Sequence, residues 1–326
     1  MTGVLKDWTL KSRNGRMTRH LSSERTFRRV HMHLKNHSYV CCSTLGAKDI
    51  EFPRLTLERA IGDKAGSDEV VFKQGRFDGS VYPDLPIIGP SMREAIESQI
   101  RGMEWGGSTS AGWVVRTVAA QCLHAADIDA KIVRSGNIFR DKEFQGALLC
   151  VSGGDPGRNL PFVRGKLKDC SYILTKADAL RQRGEIPETT SLWAVGNPMT
   201  DSIDSLKSKV DSGAQVILTQ PPFFARTSEQ WFEHAQGLPV RVLAGMPVIT
   251  SLQSMAFWFT LCGVERLSEA GDMMKTFPKT QDEDRIVAWN REFLNTTIRK
   301  LPGVFGIHAM PVTKMGTRLM PKILQE

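Results

Sequence analysis

The stretch LWAVGNPMTDSIDSLKSKVDSGAQVILTQ, residues 192–220, decides how the chain folds. It reads as strand, loop, helix, strand. Residues 192–195 are short and apolar, and Gly196-Asn197-Pro198 breaks them. Asp201 or Ser202 can cap a helix, because either side chain accepts a bond from an N–H group left open in the first turn. Ile203, Leu206 and Val210 then recur at helical spacing, with Lys207 and Lys209 beside that face. Gly213 falls just past the last turn, where a left-handed residue is needed. Val216, Ile217 and Leu218 form a second buried strand. A connection about one helix long makes the two strands parallel with a right-handed crossover. Gln220 then stands at the carboxyl end of a strand, the functional face of a barrel built from such units.

The pattern continues on both sides of this unit. Upstream, residues 147–151 read as a buried strand and 162–183 as a helical region. Downstream, residues 228–236 form a short helix that carries Trp231 and Phe232 into the core, and 240–244 form a strand with Gly245-Met246-Pro247 as its exit. Thr250 caps a helix over 252–262. Asp282-Glu283-Asp284 opens a long helix, with acid at its positive end. Residues 304–308 are the final strand and 315–324 the closing helix. Between Ala147 and His308 this makes strand follow helix in regular alternation, which is the pattern of a parallel sheet.

The first half is less regular. Either 39–43 or 48–53 supplies a first strand, 55–65 a short helix stopped by Gly66, and 70–73 the next strand. Residues 74–90 are rich in Gly and Pro and read as a long loop, an insertion or a lid. A helix runs from Pro90-Ser91 to about Arg101, a second over 113–124, and a strand over 129–134. Only residues 137–145 remain for the helix before Ala147. The fold class is α/β, a (β/α)8 TIM barrel distorted in its N-terminal half. The domain division is a basic extension over 1–37 and a barrel over 38–326.

The 326 residues are 41% hydrophobic and 24% charged, an ordinary globular balance. No apolar run approaches the ~18 residues that span a bilayer. The net charge of +8 is concentrated early, in Lys6, Lys11, Arg13, Arg16, Arg19, Arg25, Arg28 and Arg29 against Asp7 and Glu24. The basic balance is therefore that of a tail and does not mark a nucleic-acid-binding face. A segment rich in Arg, Ser and Thr reads either as an organelle transit peptide or as a solvated tail, so the location is cytoplasmic or mitochondrial. Six cysteines show no paired spacing, which suits reduced thiols, with Cys150 and Cys262 in the core. His31, His33, His37 and Cys41 cluster without a second ligand pair, so no metal site is expected.

The sequence KVDSGAQVILTQ, residues 209–220, resembles the signature of the methylenetetrahydrofolate reductase family, and RVLAGMPVITSLQSMAFWFTLCGV, residues 241–264, resembles its next unit. The match runs from Ala147 to the C-terminus. This resemblance implies a flavoenzyme of one-carbon metabolism that reduces methylenetetrahydrofolate to methyltetrahydrofolate, with NAD(P)H as reductant and FAD as carrier. In SGGDPG, residues 152–157, Asp155 and Gly154 fall on the family's turn, where the aspartate holds the pterin. Gln220 falls on the glutamine that contacts folate, and an amide can both donate and accept. IEFPR, residues 50–54, is similar to the family's first-strand signature and makes Glu51 the general acid. GGST, residues 106–109, resembles the glycine-rich turn over flavin and brings in Thr109. Lys209 matches a lysine near the flavin phosphates.

Each position has a simpler reading beside this one. Glu51 can be an exposed loop carboxylate, Asp155 part of a Gly-Asp-Pro-Gly turn, Thr109 part of a helix start and Lys209 a solvated lysine. Trp258 falls where the family has an aromatic near substrate, but as an aromatic on an apolar helical face it reads as a core residue. The family's histidine–proline–glutamate flavin loop belongs near residues 198–202, where neither the histidine nor the glutamate occurs, and Gly153 replaces its arginine. The alternative function is thus a folate-binding or regulatory relative without flavin catalysis, or flavin-independent methyl transfer from folate. The expected partner is a small-molecule folate, with no nucleic acid and no membrane, and homo-oligomer formation stays open.

Overall fold

A computed structural model describes residues 51–59, 77–84, 90–101, 112–120, 125–142, 144–153, 168–279 and 282–325. These lie within one compact unit, Glu51–Glu326. The expected boundary at 37, the histidine cluster and the strands over 39–43 and 70–73 fall outside the described residues.

Eight parallel strands close into a barrel in sequence order. They are β1 (Leu55–Glu58), β2 (Gly79–Tyr82), β3 (Trp113–Ala119), β4 (Gln145–Val151), β5 (Ser191–Gly196), β6 (Val216–Thr219), β7 (Arg241–Pro247) and β8 (Val304–Met310). The described helices are α1 (Pro90–Arg101), α2 (Ala125–Gly136), α3 (Cys170–Gln182), α4 (Ile203–Asp211), α5 (Ala225–Gln236), α6 (Leu252–Cys262), α7 (Ser268–Thr276), α8 (Glu283–Thr296) and α9 (Lys314–Leu324). Ring closure comes from the pairing of β1 with β8, Thr56 opposite His308. The expected TIM barrel is therefore the observed fold.

Side chains alternate along each strand, so each has an inner and an outer row. Outward residues such as Leu57, Val114, Leu148, Leu192, Ile217 and Met246 join the helices in the larger apolar core. Ile128 and Ile132 of α2, Ile173 and Ala177 of α3, Leu206 of α4 and Trp231 and Phe232 of α5 face them. The inward row forms a second core of Val81, Trp113, Val115, Ala147, Leu149, Trp193, Val216, Leu218 and Leu243. Trp113 stacks on Phe52 at 5.5 Å and meets Trp193 at 5.6 Å, so aromatic rings fill the amino end of the barrel.

The unit over 192–220 folds as its sequence reads. Ser202 caps α4 by accepting from the Ser205 N–H at 3.1 Å. Gly213 has φ +99°, the left-handed region that favours glycine. Asp282 caps α8, and Trp258, Cys150 and Cys262 are buried. Ser251, one residue beyond Thr250, caps α6 through a reciprocal capping box with Ser254.

The first half corrects several expectations. The helix expected over 55–65 begins instead as β1, and residues 51–53 are not strand. The loop expected over 74–90 contains β2. Within the helix expected over 113–124, Trp113–Ala119 is β3, all seven of whose residues are buried. The strand expected over 129–134 lies within α2. Over 137–145 the structure has a three-residue 3-10 turn, Asn137–Phe139, and β4 begins at Gln145. Once β3 is inserted between two helical segments, the described elements alternate strand and helix from β2 onward.

Candidate functional site at the carboxyl rim

The inward row changes character along its length. Toward the carboxyl ends of β1 and β8 it carries Thr56, Glu58 and His308. Register places Glu58 beside Val81 of β2, and Thr56 beside Gly79 and His308, all on the inner side. Thr56 Oγ1 and His308 Nδ1 lie 3.0 Å apart. Desolvation by burial holds the His308 imidazole neutral, down to about 3. Glu58 ends β1 and is half-buried. Burial pushes its carboxyl up to about 7, so near neutral pH it is a proton donor. Neither an ion pair nor a hydrogen bond from a described residue engages that carboxyl.

On the other side of the mouth, β5 and β6 end in a fastened turn. Asn197 Oδ1 accepts from the Met199 N–H at 3.1 Å, and its own N–H donates to Asp201 Oδ2 at 3.0 Å. Asn197 Nδ2 donates to the Cys262 carbonyl at 2.9 Å, so the end of α6 is tied to the end of β5. Phe223 and Phe224, just after β6, pack on Phe259 of α6 at 4.9 and 5.9 Å. The helix after β7 thus passes over the β5–β6 side of the rim. Gln220 sits beneath it, half-buried, with Oε1 4.0 Å from Cys262 Sγ and its backbone N–H on the Gly196 carbonyl. Its Nε2 group has no partner among the described residues.

Of the sequence-predicted site residues, the three that are described stand apart from one another. Gln220 is at the carboxyl rim. Glu51 is not: it precedes β1 at the amino end, where its carbonyl accepts from Trp113 Nε1 at 3.0 Å. Lys209 is buried, and its ammonium lies 2.6 Å from Asp201 Oδ2. Thr109, Gly154 and Asp155 fall outside the described residues, as do the segments following β1, β2, β3 and β4 at this rim. Sequence reasoning missed Glu58, His308 and Asn197. The alternation in LTLE, with a carboxylate as its last inward residue, is the signal that could have found Glu58.

A flavin diphosphate needs cations or free helix N-termini to offset its charge. Lys209, the residue matched to that task, is committed to Asp201. Lys131, near the end of β3, lies 2.5 Å from Asp84 and donates to the Ala119 carbonyl. The N-termini of α3 and α4 are capped by Asp169 and Ser202. Lys209, Lys131 and the N-termini of α3 and α4 are thus already engaged, whereas α5 begins at Ala225 without a side-chain cap. Among the described residues, no group of three or more His, Cys, Asp or Glu side chains could hold a metal ion, and no helix is long and apolar enough to cross a membrane.

No family model matches the chain, and no curated protein matches it. Solved structures do. A Clostridium thermocellum protein described as uncharacterized and binding two copies of 5-methyl-5,6,7,8-tetrahydrofolic acid aligns with a TM-score of 0.54 and 12% identity, covering 84% of this chain and 94% of that one. A xylanase-α-amylase inhibitor protein in complex with trehalose aligns at 0.47 and 12%, covering 84% and 98%. Oxaloacetate acetylhydrolase aligns at 0.41 and 12%, covering 74% and 91%. At such identities the likeness is one of fold.

Proposed function

We propose that the carboxyl mouth of this barrel binds a reduced folate and that Glu58 acts there as a general acid on its one-carbon unit. The observation that carries the proposal is the Glu58 carboxyl, pushed up to about 7 at the inner carboxyl end of β1 and engaged by no described side chain. A proton donor near the working pH is what opening or protonating a pterin-linked nitrogen requires. The neutral His308–Thr56 pair one step below on the inner wall adds no charge that would ionise it. Gln220, with an unengaged amide donor, supplies the two-way hydrogen bonding that a pterin edge presents. The folate bound by the Clostridium thermocellum protein supports the same ligand class for this barrel. In this reading Glu58 takes the role that the family resemblance gave to Glu51, and Asp155 remains a proposed second pterin contact.

Reduction through FAD with NAD(P)H is the finer reading that the resemblance implies. Because Lys209 is held by Asp201, no step is assigned to flavin, and a folate-binding or methyl-transferring relative is the preferred form of the proposal. The test is titration of the full chain with 5-methyltetrahydrofolate, followed by tryptophan fluorescence, alongside Gln220→Ala and Glu58→Gln. Wild type should bind. Gln220→Ala should bind about tenfold more weakly, the worth of one hydrogen bond to a buried polar group. Glu58→Gln should bind without the change in affinity that wild type shows as pH crosses 7. Absence of binding to wild type would overturn the assignment, and a bound flavin spectrum in the purified protein would restore the reductase reading.

A further inference from the structure

The opposite end of the barrel carries a feature that the folate reading does not use. A cavity of about 560 Å³ opens at the amino ends of β1 and β8, lined by Arg54, Leu55, Arg299, Gly306, Ile307 and Leu324. The guanidinium carbons of Arg54 and Arg241 both lie 5.3 Å from the centre of the Phe305 ring, so that ring gathers two cations at this end. Neither forms an ion pair with a described residue. Asp78 is turned to the backbone, where Oδ2 accepts the N–H groups of Arg54 and Leu55 at 2.9 Å each. Arg299 comes from the 3-10 turn Ile298–Lys300 before β8 and donates to Asn295 Oδ1 at 3.1 Å.

From these features we infer a second ligand site, for a small organic anion with an apolar body and a phosphate or carboxylate head. Arg54 and Arg299 line one cavity from different elements, and arginine is the side chain whose geometry matches the oxygens of either head. Leu55, Ile307 and Leu324 give the cavity apolar walls, and its size lies within the ~300–1,000 Å³ range of small-molecule sites. Arg54 also shares the Phe305 ring with the guanidinium of Arg241, and an anion beside Arg54 lowers the repulsion between those like charges. The site rests on the amino ends of the strands that carry Glu58 and His308 at their other ends, and it stands whether or not the mouth binds folate.

The experiment is calorimetric titration of the full chain at low salt with phenyl phosphate and, separately, benzoate. Phenyl phosphate should bind once per chain and weaken as salt is added. Arg299→Glu, at an exposed position, should weaken it by at least about tenfold, and Arg54→Gln should do the same. Gln220→Ala should leave it unchanged. Benzoate binding as tightly as phenyl phosphate assigns a carboxylate head, and weaker benzoate binding a phosphate head. No binding of either probe, equal affinity in Arg299→Glu, or loss in Gln220→Ala would overturn the site. The last result would move the bound anion to the carboxyl mouth.

Discussion

The two ends of the barrel interior have been filled by opposite rules. At the amino end Phe52, Trp113, Trp193 and Phe305 occupy the lumen. The indole N–H groups are satisfied locally, Trp113 by the Glu51 carbonyl and Trp193 by Ser191 Oγ at 2.9 Å. At the carboxyl end the same inward row carries Thr56, Glu58, His308 and Gln220. Two of these are held uncharged near neutral pH by burial alone. Inside the barrel the amino end is a packed core, and the carboxyl end keeps polar groups in a place that destabilises their ionised forms. Trp193→Ala tests the first half of that contrast most severely. Removing a fully buried indole should cost about 3–5 kcal/mol in denaturant unfolding. A loss under about 1 kcal/mol would show that the amino end is loosely filled.

The second half predicts a gain. Glu58 has an ordinary value of 4.5 in the open chain and about 7 when folded. Between those pH values the unfolded chain releases the proton while the folded one keeps it, so stability falls as pH rises. Above pH 7 the penalty is complete, roughly 3 kcal/mol. Glu58→Gln should therefore match wild type below pH 4.5 and exceed it by up to roughly 3 kcal/mol above pH 7. His308 works in the other direction. Its folded value of about 3 lies below its ordinary 6.5, so its contribution is present above 6.5 and is lost as pH falls toward 3. Between 4.5 and 6.5 the two slopes oppose one another. Wild type should be flat there relative to Glu58→Gln, whose stability should climb with pH. Parallel curves for the two proteins would mean that Glu58 is ionised and solvated.

The same contrast explains what the sequence disclosed. In β5–β8 each strand is punctuated by Gly, Asn or Pro, and each following helix shows an apolar face, so 192–220 reads correctly nearly residue by residue. In the first half the strands resemble something else. β3, WVVRTVA, is buried along its whole length and includes Arg116, whose Nη1 donates to the Pro83 carbonyl at 2.9 Å. A continuous apolar run has no period of two and passes for helix. α2 places Ile128 and Ile132 one turn apart, but its AKIVR segment is as β-branched as a strand. β2 is four residues inside a Gly- and Pro-rich stretch. The likeness of IEFPR, residues 50–54, to a first-strand signature placed the acid at Glu51, which precedes β1, while the end of β1 carries Glu58. The place of Gln220 at the rim was legible because it follows a strand in the regular half. Asn197 was not, because its partner Cys262 lies 65 positions away.

Asp201→Asn gives a smaller effect and shows whether the β5–β6 side of the rim belongs with the packed end or the polar end. Asp201 accepts from the Asn197 N–H and pairs with Lys209, whose side chain is 11% exposed. Losing the charge leaves a nearly buried ammonium without its partner, which should cost about 1–3 kcal/mol. A change near zero would free Lys209 for an anionic ligand and revive the flavin phosphate reading.

The smallest expected effect is on α6, the helix that passes over the rim. Its inner face buries Met255, Trp258, Phe259 and Cys262, while Phe257 and Leu261, four residues apart, are each 51% exposed. Exposed side chains on a capped helix contribute little to the fold, so Phe257→Ser and Leu261→Ser should each change stability by no more than about 0.5 kcal/mol. Chemical denaturation at two protein concentrations checks this. If either variant lost about 2 kcal/mol or more, and only at the higher concentration, that face would be buried against a second copy of the chain. The carboxyl end would then be shielded by association as well as by α6, and the difference between the two ends would belong to an assembly rather than to one barrel.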